Sequence, residues 1–171
     1  MRAQKLSKRT AAVAAATTAP SLPPAADLLV RPVRARDLYR IIAIDAQITG
    51  IEKADYWHER FHRYGERKRQ PCFFLVAECD GDIDGFIIGE VRDWEFGTPP
   101  CGWVFGISVR RETRLSGIGT RLLDTLCSSF KKAGVSKVRT LLVFDDLLVM
   151  TFYRSQGMMA APIITLERNL E

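Results

Sequence analysis

Arg114-Leu115-Ser116-Gly117-Ile118-Gly119-Thr120 sets two glycines at the head of a run in which Ile118, Leu122, Leu123, Leu126, Cys127 and Phe130 recur at helical spacing. Glycine lets the main chain approach a bound group with no Cβ in the way. The free N–H groups of a first helical turn point outward, and the helix dipole favours an anion there. Such a loop can hold a pyrophosphate, with Arg114 adding charge. The dinucleotide fingerprint is excluded, because it needs a third glycine in its own spacing. His58-Glu59-Arg60-Phe61-His62 is a second arrangement with a chemistry. Two imidazoles four residues apart share one helix face, and with the carboxylate they match a zinc peptidase pattern. A catalytic zinc needs a third protein ligand, usually from a following helix. Strand patterns follow instead, and the chain has only 2 histidines, so no metal is expected.

The elements that must position these groups follow from patterning. Leu28–Val33 reads as a strand, with Pro32 placing it at a sheet edge. Asp37 precedes Leu38, Ile41, Ile42 and Ile44, an amphipathic helix. Residues 47–51 read as a loop, and Ala54 to Glu66 as a helix carrying Tyr56, Trp57, Phe61 and Tyr64. Phe73–Ala77 is a strand, Asp80-Gly81 a hairpin turn, and Ile83 to about Phe96 the returning strand. Gly97-Thr98-Pro99-Pro100 breaks it. Trp103–Val109 is a buried strand, 117–133 the central helix, and Gly134 its C-terminal cap. Lys137–Val143 is a strand, and Asp145-Asp146 caps a short helix that reaches Phe152-Tyr153. Met158 to Leu170 supplies a last strand. The predicted order is β-α-α-β-β-β-α-β-α-β.

Two linked motifs carry a resemblance. Arg114-x-x-Gly117-x-Gly119 after a strand resembles the pyrophosphate-binding motif of the GNAT acetyltransferase superfamily. Phe152-Tyr153-x-x-x-Gly157-Met158 is similar to that family's Phe-Tyr-x-x-x-Gly-Phe segment. More loosely, the likeness covers residues 27 to 171. It implies an α/β acyl-CoA acyltransferase fold, with a mixed, mostly antiparallel sheet and helices on both faces. The strands flanking the central helix splay apart, and acetyl-CoA enters the gap as co-substrate. The implied activity is N-acetyltransfer to a primary amine of a small molecule or protein, by direct attack on the thioester. A non-catalytic acyl-CoA-binding module is the alternative.

The resemblance also implies roles. The main chain of Arg114, Leu115, Ser116, Gly117, Ile118, Gly119 and Thr120 would hold the pyrophosphate. A main-chain N–H from Ile107, Ser108 or Val109 would meet the thioester carbonyl as a preplaced dipole. Tyr153 would donate a proton to the departing thiolate, with Phe152 facing the core and Tyr153 the cofactor. Asp146 stands where relatives often have Asn; it can cap the helix but has no N–H to offer pantetheine. Relatives place a basic Glu at positions held here by Trp103 and Leu141. Glu90, ahead of Glu52 and Asp45, is therefore the candidate base. Tyr56, Trp57, the Ile48–Ala54 loop, and Trp94 with Phe96 are expected around the acceptor, with His58 or His62 nearby.

Composition narrows the classes further. The chain has 171 residues, 47% apolar, with no run of about 18 apolar residues, so no membrane span is expected. Net charge is +5, but Arg2, Lys5, Lys8 and Arg9 precede any acid. Those 4 of the 25 basic residues leave 21 against 20 acids, and a near-neutral body argues against nucleic acid. Arg60, Arg63, Arg67, Lys68 and Arg69 read as a solvated basic helix face. Cys72, Cys79, Cys101 and Cys127 lack metal spacing and read as small core residues in a reducing compartment. Residues 1–26, basic and rich in Ala, Thr and Pro, read as a disordered extension, with a targeting segment for organellar import as the alternative. Residues 27–171 form the domain. A cytoplasmic protein is expected, and a homodimer is compatible with the sequence.

Overall fold

The computed structural model describes residues 28–66 and 71–170, leaving the N-terminal extension and Arg67, Lys68 and Arg69 of the basic face outside the described residues. Among the described residues, five strands form one sheet: β1 (Leu29–Pro32), β2 (Cys72–Cys79), β3 (Asp82–Arg92), β4 (Cys101–Val109) and β5 (Val138–Thr140). They lie in sequence order, antiparallel except for the parallel β4–β5 pair. Pro32 sits on the edge strand, where a missing N–H costs nothing. Asp80 and Gly81 both take positive φ, of 49° and 82°, in the β2–β3 turn.

Four helices cover the two faces: α1 (Leu38–Thr49), α2 (Ala54–Arg60, continued by a π-helical turn over Phe61–Glu66), α3 (Ile118–Lys132) and α4 (Leu147–Ser155). Strand alternation sorts the core into two layers. Phe74, Val76, Phe86 and Ile88 pack with Ile41, Ile44, Trp57 and Tyr64 from α1, α2 and the π turn. Leu75, Ala77 and Ile87 pack with Leu122, Leu126 and Phe130 of α3. The α3 layer is unusually close. A Cβ on Gly89 would lie 2.9 Å from Phe130, and one on Gly102 would lie 2.5 Å from the same ring. These glycines let the helix rest on the backbone of β3 and β4.

Several boundaries differ from expectation. The helix α1 runs through Thr49 before Gly50 caps it at φ 72°, so the expected loop is shorter. Strand β3 stops at Arg92, and Trp94 turns out with φ 49°. Strand β5 is three residues long rather than seven. No strand forms over residues 158–170, where Met159, Ile164 and Leu166 are exposed. Strand propensity expresses itself only against a partner, and β5 ends too early to offer these residues an edge. The element order is therefore β-α-α-β-β-β-α-β-α.

Candidate active site

The loop before α3 is shaped by its backbone. Leu115 and Gly117 both adopt left-handed conformations, φ 67° and 84°. Leu115 does so while 94% exposed, so no packing gain offsets the strain. Gly117 is the N-cap and offers no side-chain cap, and the first turn contains no acid. The N–H groups of Ile118, Gly119 and Thr120 are thus left for another acceptor. A Cβ built on Gly117 would meet nothing within 4 Å, whereas one on Gly119 would press on Phe152 at 3.1 Å. Ser116 is turned away, its Oγ donating to the Thr113 carbonyl at 2.6 Å. Arg114 reaches back, its Nε donating to the Val109 carbonyl at 3.3 Å. An open, uncapped, cationic helix start fits a diphosphate.

The strands beside it part. Pairing of β4 with β5 covers only Gly102, Trp103 and Val104, opposite Val138, Arg139 and Thr140. Beyond Val104, the side of β4 facing away from β3 has no β5 partner. The parting coincides with a bulge: Ile88 pairs with Gly106 but Gly89 with Val104, leaving Phe105 as the extra residue. Ile107, Ser108 and Val109 stay laddered to Ile87, Phe86 and Gly85. Their other edge fronts the gap, where main-chain groups can meet a ligand's amides or carbonyl.

Tyr153 sits at the head of this gap. Its phenol contacts the Thr140 hydroxyl, which itself donates to the Val104 carbonyl at 3.1 Å, the last paired residue of β4. Tyr153 is only 4% exposed, and burial pushes its phenol above the ordinary range, so it stays protonated. Phe152, expected in the core, is the more open of the two and lies against Gly119. Asp146 caps α4, its Oδ1 accepting from the Val149 N–H at 3.0 Å.

Across the sheet from α3, a cleft of about 170 Å³ is lined by Asp45, Lys53, Tyr56, Trp57, Arg60 and Tyr64, and floored by Phe105, Gly106 and Ser108. The indole Nε1 of Trp57 donates to Asp45 Oδ2 at 2.9 Å, and Lys53 Nζ lies 2.9 Å from the same oxygen. Glu90 is 7% exposed and sits beside the cleft rather than in its lining. It accepts from Arg92 Nε at 2.9 Å, and the Tyr64 phenol lies close enough to feel its charge. Burial first, then the Glu90 charge, raises the Tyr64 phenol above its usual range. Arg92 also stacks on the Trp103 and Phe105 rings, 5.1 and 4.8 Å from their centres.

Other expected residues lie apart. Glu52 is exposed on the loop before α2. Trp94 is exposed and outside the cleft lining, and the Phe96 side chain lies outside the described residues. His58 Nδ1 meets the Ala54 carbonyl at 2.9 Å and His62 Nδ1 meets Glu66 at 2.7 Å, so each imidazole has a protein partner. Among the described residues no three His, Cys, Asp or Glu side chains converge as a metal site. Arg60, read from sequence as solvated surface, is half-buried in the cleft because the helix turns it between two tyrosines. Lys53 belongs to the Ile48–Ala54 loop expected around the acceptor and does line the cleft, whereas Tyr64 and Phe105 had no assigned role. Their one sequence signal is the four-residue spacing of Tyr56, Arg60 and Tyr64.

A sheet with parting strands, a glycine-opened helix start in the gap and a cleft on the opposite face define an acyltransferase architecture. A profile of the acetyltransferase (GNAT) family matches residues 36–158, and the chain belongs to that family. An uncharacterized N-acetyltransferase of Methanocaldococcus jannaschii is 34% identical over 88 residues, covering 51% of this chain and 53% of its own. The chain thus matches about half the length of that curated relative. Among solved structures, the aminoglycoside N-acetyltransferase AAC(6')-Iy in complex with CoA superposes with a TM-score of 0.75 at 15% identity, covering 86% of this chain and 97% of its own. The aminoglycoside 6'-N-acetyltransferase AAC(6')-IG of Acinetobacter haemolyticus gives 0.70 at 17% identity, with 84% and 99% covered. At these identities the likeness is one of fold.

Proposed function

We propose that this protein transfers the acetyl group of acetyl-CoA to a primary amine by direct attack. The observation that carries this reading is that one stretch of β4, residues 105–109, borders both the strand gap beside α3 and the floor of the cleft across the sheet. A donor held in the gap and an amine held in the cleft therefore meet at the same backbone. That a solved structural neighbour carries CoA supports the donor assignment.

Acetyl-CoA, when bound, supplies a thioester whose acyl carbon is open to attack. The N–H groups of Leu115 through Thr120 take the diphosphate, and Arg114 adds positive charge. The main chain of Ile107, Ser108 and Val109 orients the acyl end and offers a dipole where oxygen charge grows. In the cleft, Tyr64 relays the amine's proton to Glu90, whose charge its phenol feels. The N–C bond forms as the C–S bond breaks, and Tyr153 gives its proton to the departing sulfur. Asp146 holds the start of α4, and so the approach of Tyr153, in place.

Release of free thiol from acetyl-CoA, followed over a panel of amines, tests the reading. Turnover with at least one amine is expected, and Glu90→Gln should slow it about 10²-fold. Tight acetyl-CoA binding with no thiol release on any amine would favour a non-catalytic binding module. The tie between Glu90 and Arg92 is the observation on that side. No helix among the described residues is long and apolar enough to cross a membrane.

A further inference from the structure

The charges of the cleft are not balanced by one another. Asp45 is its one lining acid, and that carboxylate is already engaged by the Trp57 indole and the Lys53 ammonium, each at 2.9 Å. Arg60 is different. Its guanidinium lies 4.9 Å from the Tyr56 ring centre and 5.8 Å from that of Tyr64. Its Nε is shut off from solvent without a hydrogen-bond partner, and no ion pair among the described residues includes it. A guanidinium flanked by aromatic rings keeps its charge and its fork geometry. Without an ion pair among the described residues, it calls for an anion brought by the ligand.

We infer that the acceptor is an amine that also bears a carboxylate, and that Arg60 binds that carboxylate. The inference rests on the acetyl-transfer reading, and it names the substrate class for that site. The amine end then lies toward Gly106 and Ser108, on the strand that borders the donor gap, and the carboxylate end lies toward α2. A fork-to-carboxylate contact in a partly desolvated site adds affinity and fixes orientation together. The same two cations, Lys53 and Arg60, disfavour a polycation, which would meet like charge with one compensated carboxylate to answer it. A free amino acid and an acidic residue at the start of a peptide both present this chemistry. Arg60 is a binding and positioning residue here; it takes no part in proton transfer.

Steady-state thiol release with matched acceptors tests this on the full chain. The pairs are γ-aminobutyrate against n-butylamine, and C-terminally amidated peptides beginning with Glu against the same peptides beginning with Gln. Sisomicin serves as a polycationic comparator. The carboxylate-bearing member of at least one pair should have kcat/KM about tenfold or more above its partner. Whichever pair shows the gap identifies a free or a peptide source. Arg60→Gln should erase the gap by raising KM for that member alone, with kcat held within about twofold. Arg60→Lys should restore part of it, because charge returns without the fork. Equal use of both members in the unaltered protein, or preference for sisomicin, would overturn the inference while leaving acetyl transfer intact. Equal slowing of both members by Arg60→Gln would make the side chain merely structural and would also overturn it. Absence of thiol release with every acceptor would remove the acetyl-transfer reading and this one with it.

Discussion

Tyr153 owes its proposed role to where it is buried. A phenol in water ionises near pH 10, and this one is pushed higher by loss of solvent, partly opposed by the Thr140 hydroxyl. A raised phenol remains a proton donor throughout the neutral range and loses its proton only as pH climbs past that of an ordinary tyrosine. Tyr153→Phe is expected to lower kcat about 10²-fold with acetyl-CoA affinity kept. Any alkaline decline in the unaltered protein that comes from this group should begin above pH ~10 and vanish in the variant. A pH profile of kcat for both proteins checks this. Residue roles were unevenly legible in the sequence. Gly117, Gly119 and Asp146 announce themselves, because backbone freedom and capping are local properties. Arg60 and Tyr64 do not, because their meaning depends on β4 lying opposite α2, which no spacing encodes. Arg60 in particular looks like any arginine on a charged helix until Tyr56 and Tyr64 close around it.

Among the elements, α3 and its leading loop are proposed to decide donor binding. Gly117 has positive φ and open space where a Cβ would go. Gly117→Ala should therefore cost about 1–2 kcal/mol from the left-handed backbone alone, with acetyl-CoA binding kept. Gly117→Glu adds bulk and negative charge at the anion site, and calorimetry should show acetyl-CoA binding lost. Equal affinities in the two variants would contradict the site. Helices α1, α2, α3 and α4 were readable from their periodicity and caps, since each buries a face against the sheet. The C-terminal stretch was misread as a strand for the converse reason. Its alternation is real, but a strand is a relation between two segments, and β5 stops at Thr140. The short β5 is equally what leaves β4 open, so the misread boundary and the site share one cause.

On the scale of the molecule, an ion-pair knot joins the sheet edge to the first helix. Arg31 of β1 is buried and bridges Asp37, ahead of α1, at 2.7 Å; it also pairs with Glu78 of β2. Burial raises the Asp37 carboxyl, but hydrogen bonds from Arg31 and from the Arg34 N–H outweigh it, and the net shift is downward. A depressed folded-state value stabilises the fold above the unfolded carboxyl range, near pH 4, and that contribution is lost as pH falls through it. Asp37→Asn should cost about 2 kcal/mol at neutral pH, and its denaturant midpoint should fall less steeply than the parent's on acidification below pH ~4. Urea melts across that window measure both.

The paired layers carry a consequence for change over time. Glycines 89 and 102 seat α3 directly on the main chain of β3 and β4, so the proposed diphosphate grip is referenced to peptide planes rather than to any side chain on the far face. The cleft proposed to choose the acceptor draws most of its side chains from the other layer, α1, α2 and the π turn. On the proposed function, the sheet works as a partition wall between a fixed donor room and a refurnishable acceptor room. Transplanting the 38–66 segment from a relative with different taste in amines should thus exchange the guest without evicting the host.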